Sequence, residues 1–195
     1  MPPAALIFDC DGTLIDSMPG HYRAWRQTLA EVGIDFPESR FYELAGTPTD
    51  RIIRLLADEQ RCSVDVAALA RRKEDAFLLG LDQVDPIPAV VKIVHENRGR
   101  VKMAVASGGF RHVILRQLDR IGLLGDFETI VTAEDTVRHK PEPDVFLEAA
   151  RRMGVAPADC CVYEDADLGI EAARRAGMSW IDIRPWHTPR RLTDT

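Results

Sequence analysis

The sequence predicts an α/β fold in which a parallel sheet is flanked by helices. Short apolar segments of strand length recur along the chain, and helical segments stand between most of them, which is typical of a parallel sheet. Several of these predicted strands end in acidic or hydroxyl side chains followed by a turn. One long segment interrupts the alternation without a strand of its own, which predicts a small all-helical insertion in the sheet domain.

The predicted strands are strand-sized apolar runs at 4–8, 101–106, 129–132, 160–163 and 179–183. Helices that cross over between strands are predicted at 110–121, 143–153 and 167–176. Gly177 is suited to end the last helix, because glycine readily adopts the left-handed conformation that often follows a helix.

The inserted segment lies between the first and second strands, and its apolar residues repeat at three- and four-residue spacing. This pattern predicts helices at 21–32, 49–57 and 64–79, separated by Gly33, the Phe36-Pro37 turn and the segment 46–48.

The position of this insertion divides the chain into two predicted domains. We expect a discontinuous core formed by 1–16 and 86–195, and a helical cap formed by 17–85. The chain crosses between the two twice, so we expect a hinge at 14–20 and 80–88 that opens and closes the cap.

Composition and charge exclude several classes of protein. The 195 residues are 46% hydrophobic and 29% charged, a balance typical of a soluble globular protein. No apolar run approaches the about 20 residues of a membrane span, and the first residues lack a signal-peptide pattern, so we expect a cytoplasmic protein without membrane contact. A net charge of −6 argues against a nucleic-acid partner. We expect a monomer whose 4 cysteines are reduced.

The first predicted strand ends in two acids, Asp9 and Asp11, followed by Gly12 and Thr13. Ligands of open α/β sheets bind at the carboxyl ends of strands, and two carboxylates there repel each other unless a cation joins them. Mg²⁺ binds carboxylate, carbonyl and phosphate oxygens, and an aspartate beside it can attack phosphorus. The alternative is an ordinary acidic turn.

Two further segments offer groups that bind phosphate. Ser107 and Gly108 follow the second strand, where a hydroxyl and backbone N–H groups can bind an anion, although such turns also favour Ser and Gly for conformational reasons. Lys140 precedes a predicted helix, where an anion between the lysine and the helix start would balance its charge. A solvated lysine is the alternative.

The fourth predicted strand ends in two more acids, Glu164 and Asp165. Near the acids of the first strand they suit a divalent cation. Asp167 follows them and is explained as a helix N-cap.

This combination resembles the four motifs of the haloacid dehalogenase superfamily, which read here Asp9-x-Asp11-Gly-Thr, Ser107, Lys140-Pro-x-Pro-Asp and Glu164-Asp165. The resemblance spans nearly the whole chain. The segments 16–25 and 163–178 resemble more narrowly the β-phosphoglucomutase-like branch, and within it the sugar-phosphate phosphatases of the fructose-1-phosphatase type. The resemblance implies a Rossmann-like core with a cap inserted after the first motif.

The resemblance also implies a Mg²⁺-dependent phosphatase that acts on a small phosphorylated metabolite such as a sugar phosphate. Asp9 would attack the phosphoryl group and carry it as an aspartyl-phosphate, while Asp11 would act as acid and then as base. The implied metal ligands are Asp9, Asp11 through its backbone carbonyl, Glu164 directly or indirectly, and Asp165, and the groups that offset the phosphate charge are Ser107 and Lys140.

The cap is expected to choose the substrate. Mutases of this branch hold a second phosphate with a lysine and an arginine near Gly46, where this chain has Ala45 and Thr49. This weakens the alternative of an intramolecular phosphomutase, although Arg51 or Lys73 can compensate. The expected substrate-binding residues are Thr13, His21, Trp25, Gly46, Arg51, Lys73, Ser107, Gly108 and Lys140, of which Trp25 is equally explained as a core residue. A third alternative, a signalling module that keeps its phosphate, is disfavoured by the insertion and by Asp11.

Overall fold

The structure is a computed structural model, and it describes residues 2–189 and 191–192. Its β-strands are β1 (Ala5–Phe8), β2 (Lys102–Ala106), β3 (Thr129–Val131), β4 (Cys160–Glu164) and β5 (Ser179–Asp182). Its α-helices are α1 (Met18–Ala30), α2 (Glu38–Glu43), α3 (Thr49–Gln60), α4 (Val66–Leu79), α5 (Pro88–Asn97), α6 (Arg111–Arg120), α7 (Asp144–Met153) and α8 (Asp167–Arg175). In the described part of the chain, no helix is long and apolar enough to cross a bilayer.

The five strands form one parallel sheet in the order β3-β2-β1-β4-β5. The predicted α/β class with a parallel sheet is therefore confirmed. β1 lies at the centre, where Phe8 pairs with Val105 of β2 and with Tyr163 of β4. The carboxyl ends of β1, β2 and β4 consequently lie side by side at one edge of the sheet.

Both faces of the sheet are covered by helices. Successive residues of a strand point to opposite faces, so each strand contributes side chains to both packing layers. Leu6 and Phe8 pack into a cluster that includes residues of α5 and α6, whereas Ala5 and Ile7 pack into a second cluster with α7 and α8. All four side chains of β1 are buried. The central strand is thus held on both faces, and the loop that follows it starts from a fixed position.

The helices α1 to α4 lie together on the segment that interrupts the strands. They share an apolar cluster of their own, which includes Trp25, Phe41, Ile53 and Leu69. The two crossings to the sheet run beside each other, since Asp16 donates its N–H to the carbonyl of Asp85 at 2.8 Å and Ile87 donates to Leu14 at 3.0 Å. This paired crossing supports the proposed division into a core and a cap.

Two helices were not predicted from the sequence. The six-residue α2 follows Pro37 directly, where we expected only a turn, and Phe41 anchors it against Tyr22 and Phe36. A helix this short depends on tertiary packing rather than on propensity. The second is α5, which begins at Pro88, a residue that is tolerated in the first turn of a helix.

Candidate active site

Asp9 lies at the centre of the sheet edge, directly after β1. Its backbone N–H donates to the carbonyl of Tyr163 at 3.0 Å, which extends the strand pairing by one residue, and its side chain is buried. Ser107 follows β2 on one side, and Glu164 ends β4 on the other. The hydroxyl oxygen of Ser107 accepts the N–H of Gly109 at 3.0 Å, so its hydrogen is free to be donated to a ligand.

Three acids meet at this edge. One carboxylate oxygen from each of Asp9, Glu164 and Asp165 lies within 4.8 Å of the others. Burial, followed by the charge of Glu164, raises the pKa of Asp9 well above its usual value. The same two causes raise the pKa of Asp165 to about 8, although its oxygen Oδ1 accepts the hydroxyl of Thr13 at 2.8 Å. Because each acid makes ionisation of the next more costly, the cluster favours a bound cation.

Lys140 connects two of these acids. Its Nζ lies 2.6 Å from Asp9 Oδ1 and 2.7 Å from Glu164 Oε2, and all three side chains are buried. Burial acts to lower the pKa of Lys140, but the two carboxylates outweigh it and raise the pKa above its usual value. The lysine charge is therefore balanced by two carboxylates, that of Asp9 directly after β1 and that of Glu164 at the end of β4.

Glu164 is fixed on both of its oxygens. Its Oε1 accepts the backbone N–H groups of Asp165 and Ala166, each at 3.1 Å, and its Oε2 accepts Lys140. A Cβ added to Gly169 of α8 would lie 2.0 Å from Oε2, so this glycine is required for the carboxylate to fit. The predicted N-cap role of Asp167 is wrong: Ala166 is the N-cap residue of α8, and Asp167 is the first residue inside the helix.

Asp11 accepts three hydrogen bonds on one oxygen. Oδ1 lies 2.6 Å from Ser17 Oγ, 2.8 Å from His21 Nε2 and 2.6 Å from Gln117 Nε2. Burial acts to raise the pKa of Asp11, but His21, Ser17 and Gln117 outweigh it and hold the pKa well below its usual range. These donors stabilise the carboxylate of Asp11. All three contact Oδ1, and none of them contacts Oδ2.

A row of polar groups continues from Asp11 into the cap. His21 accepts the ammonium of Lys73 on Nδ1 at 2.9 Å. An ammonium has no acceptor, so we assign the imidazole proton to Nε2, which donates to Asp11. Lys73 also donates to both oxygens of Glu74, at 3.1 and 3.2 Å, and the ring of Phe77 stacks on His21 with centroids 3.7 Å apart.

One pocket lies between the sheet edge and the cap. Its wall on the core side includes Asp9, Asp11, Ser107, Gly108, Glu164 and Asp165, and its wall on the cap side includes His21, Trp25, Gly46, Thr49, Lys73 and Glu74. The cap touches the core closely at two glycines, since a Cβ on Gly108 would lie 3.2 Å from the carbonyl oxygen of Gly46.

The structure does not bring every predicted residue into this pocket. Arg51 is exposed on α3 and does not line it, and Thr13 is buried beneath Asp165, where it orients that carboxylate. Lys140 is buried behind Asp9. Trp25 is buried in the cap cluster and also lines the pocket, so its role in binding substrate stays a prediction.

Three residues of the site were missed by the sequence reasoning, namely Ser17, Glu74 and Gln117. The sequence carried a signal for two of them, Gln117 and Glu74. The buried face of α6 is otherwise formed by Val113, Ile114 and Leu118, and that of α4 includes apolar residues on both sides of its charged pair. A polar side chain on an apolar face must find a partner, which makes it a candidate for a functional contact.

The donor set of the acidic cluster fits Mg²⁺. The cation prefers oxygen ligands, and Asp9, Glu164 and Asp165 supply carboxylate oxygens at one point. Burial and the charge of Glu164 raise the pKa of Asp9 and of Asp165, and a cation bound between these acids would offset both causes.

Comparison with known proteins agrees with this arrangement. Residues 3–177 match the model of a family described as haloacid dehalogenase-like hydrolase. The chain belongs to this family. The predicted resemblance to the haloacid dehalogenase superfamily, and with it the Rossmann-like core, is confirmed.

Among similar members of the haloacid dehalogenase-like family, fructose-1-phosphate phosphatase YqaB of Escherichia coli (strain K12) is 42% identical over 93% of this chain and 96% of its own length. β-Phosphoglucomutase of Bacillus subtilis (strain 168) is 28% identical over 92% of this chain and 82% of its own. A crystal structure of β-phosphoglucomutase from Clostridium difficile superposes with a TM-score of 0.86 at 25% identity and covers 93% of this chain and 84% of that one. The chain itself is a phosphatase of this family.

Proposed function

We propose that the chain is a Mg²⁺-dependent phosphatase that hydrolyses a sugar phosphate through an aspartyl-phosphate on Asp9. The observation that carries this proposal is the buried carboxylate of Asp9, in contact with Lys140 and beside two further acids in a pocket closed by the cap. Phosphoryl transfer needs mostly positioning and charge stabilisation, and these groups provide both.

The nucleophile of this proposal is Asp9. Lys140 keeps its carboxylate in place from behind, and Ser107 offers a hydroxyl hydrogen to a phosphoryl oxygen. The attack forms an acyl phosphate on Asp9 and expels the sugar oxygen, and water then cleaves the acyl phosphate.

Asp11 is the proposed acid and base. It protonates the leaving oxygen in the first step and removes a proton from water in the second. The three donors on Oδ1 fix the orientation of the carboxylate, and Oδ2 exchanges the proton. The same donors favour the ionised form, which is the form that the second step requires.

The proposed ligands of Mg²⁺ are Asp9, Asp165 and the backbone carbonyl of Asp11. Both oxygens of Glu164 are engaged by Lys140 and backbone N–H groups, so we assign Glu164 to the surroundings of the metal rather than to direct binding. When bound, Mg²⁺ would neutralise phosphate charge and hold the phosphoryl group in line with Asp9.

The cap supplies the proposed specificity. Gly46, His21, Trp25 and Lys73 line the pocket from the cap side and are the proposed contacts of the sugar. The substrate of the relative YqaB, fructose 1-phosphate, suggests a small sugar phosphate. Because Arg51 lies outside the pocket, we assign it no part in binding substrate.

A panel of phosphate esters tests the proposal. Fructose 1-phosphate, hexitol phosphates, β-glucose 1-phosphate and phosphoglycolate are incubated with the protein and Mg²⁺, and free phosphate is measured. We expect multiple turnovers on sugar phosphates that stop in excess EDTA and return with Mg²⁺. Conversion of β-glucose 1-phosphate to its 6-phosphate with a bisphosphate primer, without phosphate release, would instead establish the mutase. Retention of one phosphate per chain would establish the signalling module.

A further inference from the structure

Glu74 places a fixed negative charge on the cap wall of the pocket. The residue is 4% exposed and lies on α4, opposite the sheet edge that bears Asp9. Its Oε1 accepts the hydroxyl of Thr49 at 2.7 Å, and both of its oxygens accept Lys73. Burial acts to raise its pKa, but the charge of Lys73 and the hydrogen bonds from Thr49 and Lys73 outweigh burial and lower the pKa. The carboxylate is therefore ionised at neutral pH.

The neighbouring Lys73 forms an ion pair with Glu74 and has no hydrogen left to donate to a ligand in the pocket. An ammonium has three hydrogens, and Lys73 directs them to His21 Nδ1 and to the two oxygens of Glu74. Within the described residues, Lys73 is also the only lysine or arginine that lines the pocket. By contrast, a carboxylate has about four lone-pair positions, so Glu74 keeps acceptor capacity after its three contacts.

We infer that Glu74, held by Thr49, selects substrates whose leaving group is an uncharged polyol and disfavours those that carry a second anionic group. The inference rests on the proposed phosphatase function. A polyol donates hydroxyl hydrogens to the carboxylate, whereas a second phosphate or a carboxylate on the substrate meets a group of like charge and finds no free hydrogen of Lys73 to bind it.

The position of Thr49 strengthens this reading. It lies where the sequence comparison with mutases led us to expect a cation for a second phosphate, and its hydroxyl is bonded to the carboxylate of Glu74. The cap wall thus carries an anion and its hydrogen-bond donor at the place where a bisphosphate would need a positive charge.

Two matched esters test the selection. Sorbitol 6-phosphate and 6-phosphogluconate share an open six-carbon chain and differ chiefly at the far end, where one has a hydroxymethyl group and the other a carboxylate. The selection ratio is kcat/KM for the first ester divided by kcat/KM for the second, measured with Mg²⁺. We expect a ratio of about 10 or more for the wild type, because like charges in a desolvated site are strongly unfavourable.

Two variants and one control assign the effect to Glu74. Glu74→Gln keeps the shape and the acceptor for Thr49 but removes the charge, and we expect the ratio to fall about 10-fold. Thr49→Lys keeps Glu74 and adds a cation beside it, and we expect the ratio to fall in this variant as well. This second variant keeps the inference testable if Glu74→Gln does not fold. Asp75→Asn removes the same charge from the exposed side of α4 and should leave the ratio unchanged.

The outcomes separate this inference from the proposed function. A wild-type ratio near 1, or equal loss of kcat/KM on both esters in Glu74→Gln, would overturn the selective role of Glu74 while phosphatase activity stands. If the wild type releases no phosphate from either ester or from 4-nitrophenyl phosphate with Mg²⁺, the proposed function itself fails.

Discussion

Gln117 donates its side-chain N–H to Asp11 Oδ1 at 2.6 Å, across 106 positions of sequence. The glutamine is fully buried on α6, and its Oε1 accepts the thiol of Cys10 at 3.5 Å. The core therefore fixes Asp11 from one side, while His21 of α1 contacts the same oxygen from the cap. We assign Gln117 as a positioning residue for the proposed acid and base.

Replacement of Gln117 tests this positioning role. Gln117→Met keeps the volume and removes the donor, and we expect kcat to fall about 10- to 100-fold, because a hydrogen bond to a charged group contributes about 1.5–3 kcal/mol. KM should change less, since the residue does not line the pocket. Arg116→Ala, on the exposed side of the same helix, is the control. An unchanged kcat in folded Gln117→Met would contradict the assignment.

Asp9→Asn tests the nucleophile. We expect kcat to fall at least about 1000-fold, because the amide cannot form the acyl phosphate. The fold should survive, since the change removes one of three mutually repelling acids and leaves Lys140 paired with Glu164. Phosphate release and the thermal unfolding midpoint in EDTA are the measurements. Normal Mg²⁺-dependent turnover by this variant would exclude the proposed mechanism.

The contact between Gly46 and Gly108 predicts that the cap closes against the core. Gly108→Ala places a methyl group 3.2 Å from the carbonyl oxygen of Gly46, so closure becomes strained. We expect kcat/KM to fall about 5- to 50-fold, because small displacements of a closed site reduce rates strongly. Gly125→Ala is the matched control, since a Cβ there meets no atom within 4 Å. Equal kinetics for the two variants would refute tight closure at this point.

Asp135 predicts a pH-dependent contribution to stability. Burial acts to raise its pKa, but hydrogen bonds from Arg152 and Thr132 and the charge of Arg111 outweigh burial and lower the pKa. A lowered pKa means that the contribution is complete above the unfolded-state pKa and is lost as pH falls through the folded-state pKa. Asp135→Asn should lower the free energy of unfolding by about 1–3 kcal/mol at pH 7.

Urea unfolding of both proteins at about pH 7, 4 and 3 measures this difference. It should shrink toward the lowest pH, because the carboxylate of the unfolded chain is protonated at a higher pH than that of the folded protein. Glu96→Gln is the control, because the exposed pair of Glu96 with Lys92 contributes little. A difference that stays constant with pH would show that Asp135 acts through its shape and not through its charge.

Much of the sheet and its acidic edge was predictable. All five strands lie where the apolar runs placed them. The signal is strongest for β1, β2 and β4, because a buried parallel strand must be almost continuously apolar. The acids were recognisable since they end those runs. The sequence did not predict α2 or α5, because short helices are stabilised by the residues against which they pack.

The sequence by itself determined the order of the elements, the acids at the ends of two strands and the family to which they point, because these depend on local patterns of hydrophobicity and charge. Only the tertiary structure decided which groups Lys140, Glu74 and Gln117 contact. Lys140 joins Asp9 and Glu164, Glu74 ends a row of polar groups that starts at Asp11, and Gln117 holds Asp11 from the core. Pairing between distant buried charges depends on which helix faces reach the pocket, and that is fixed by packing in three dimensions.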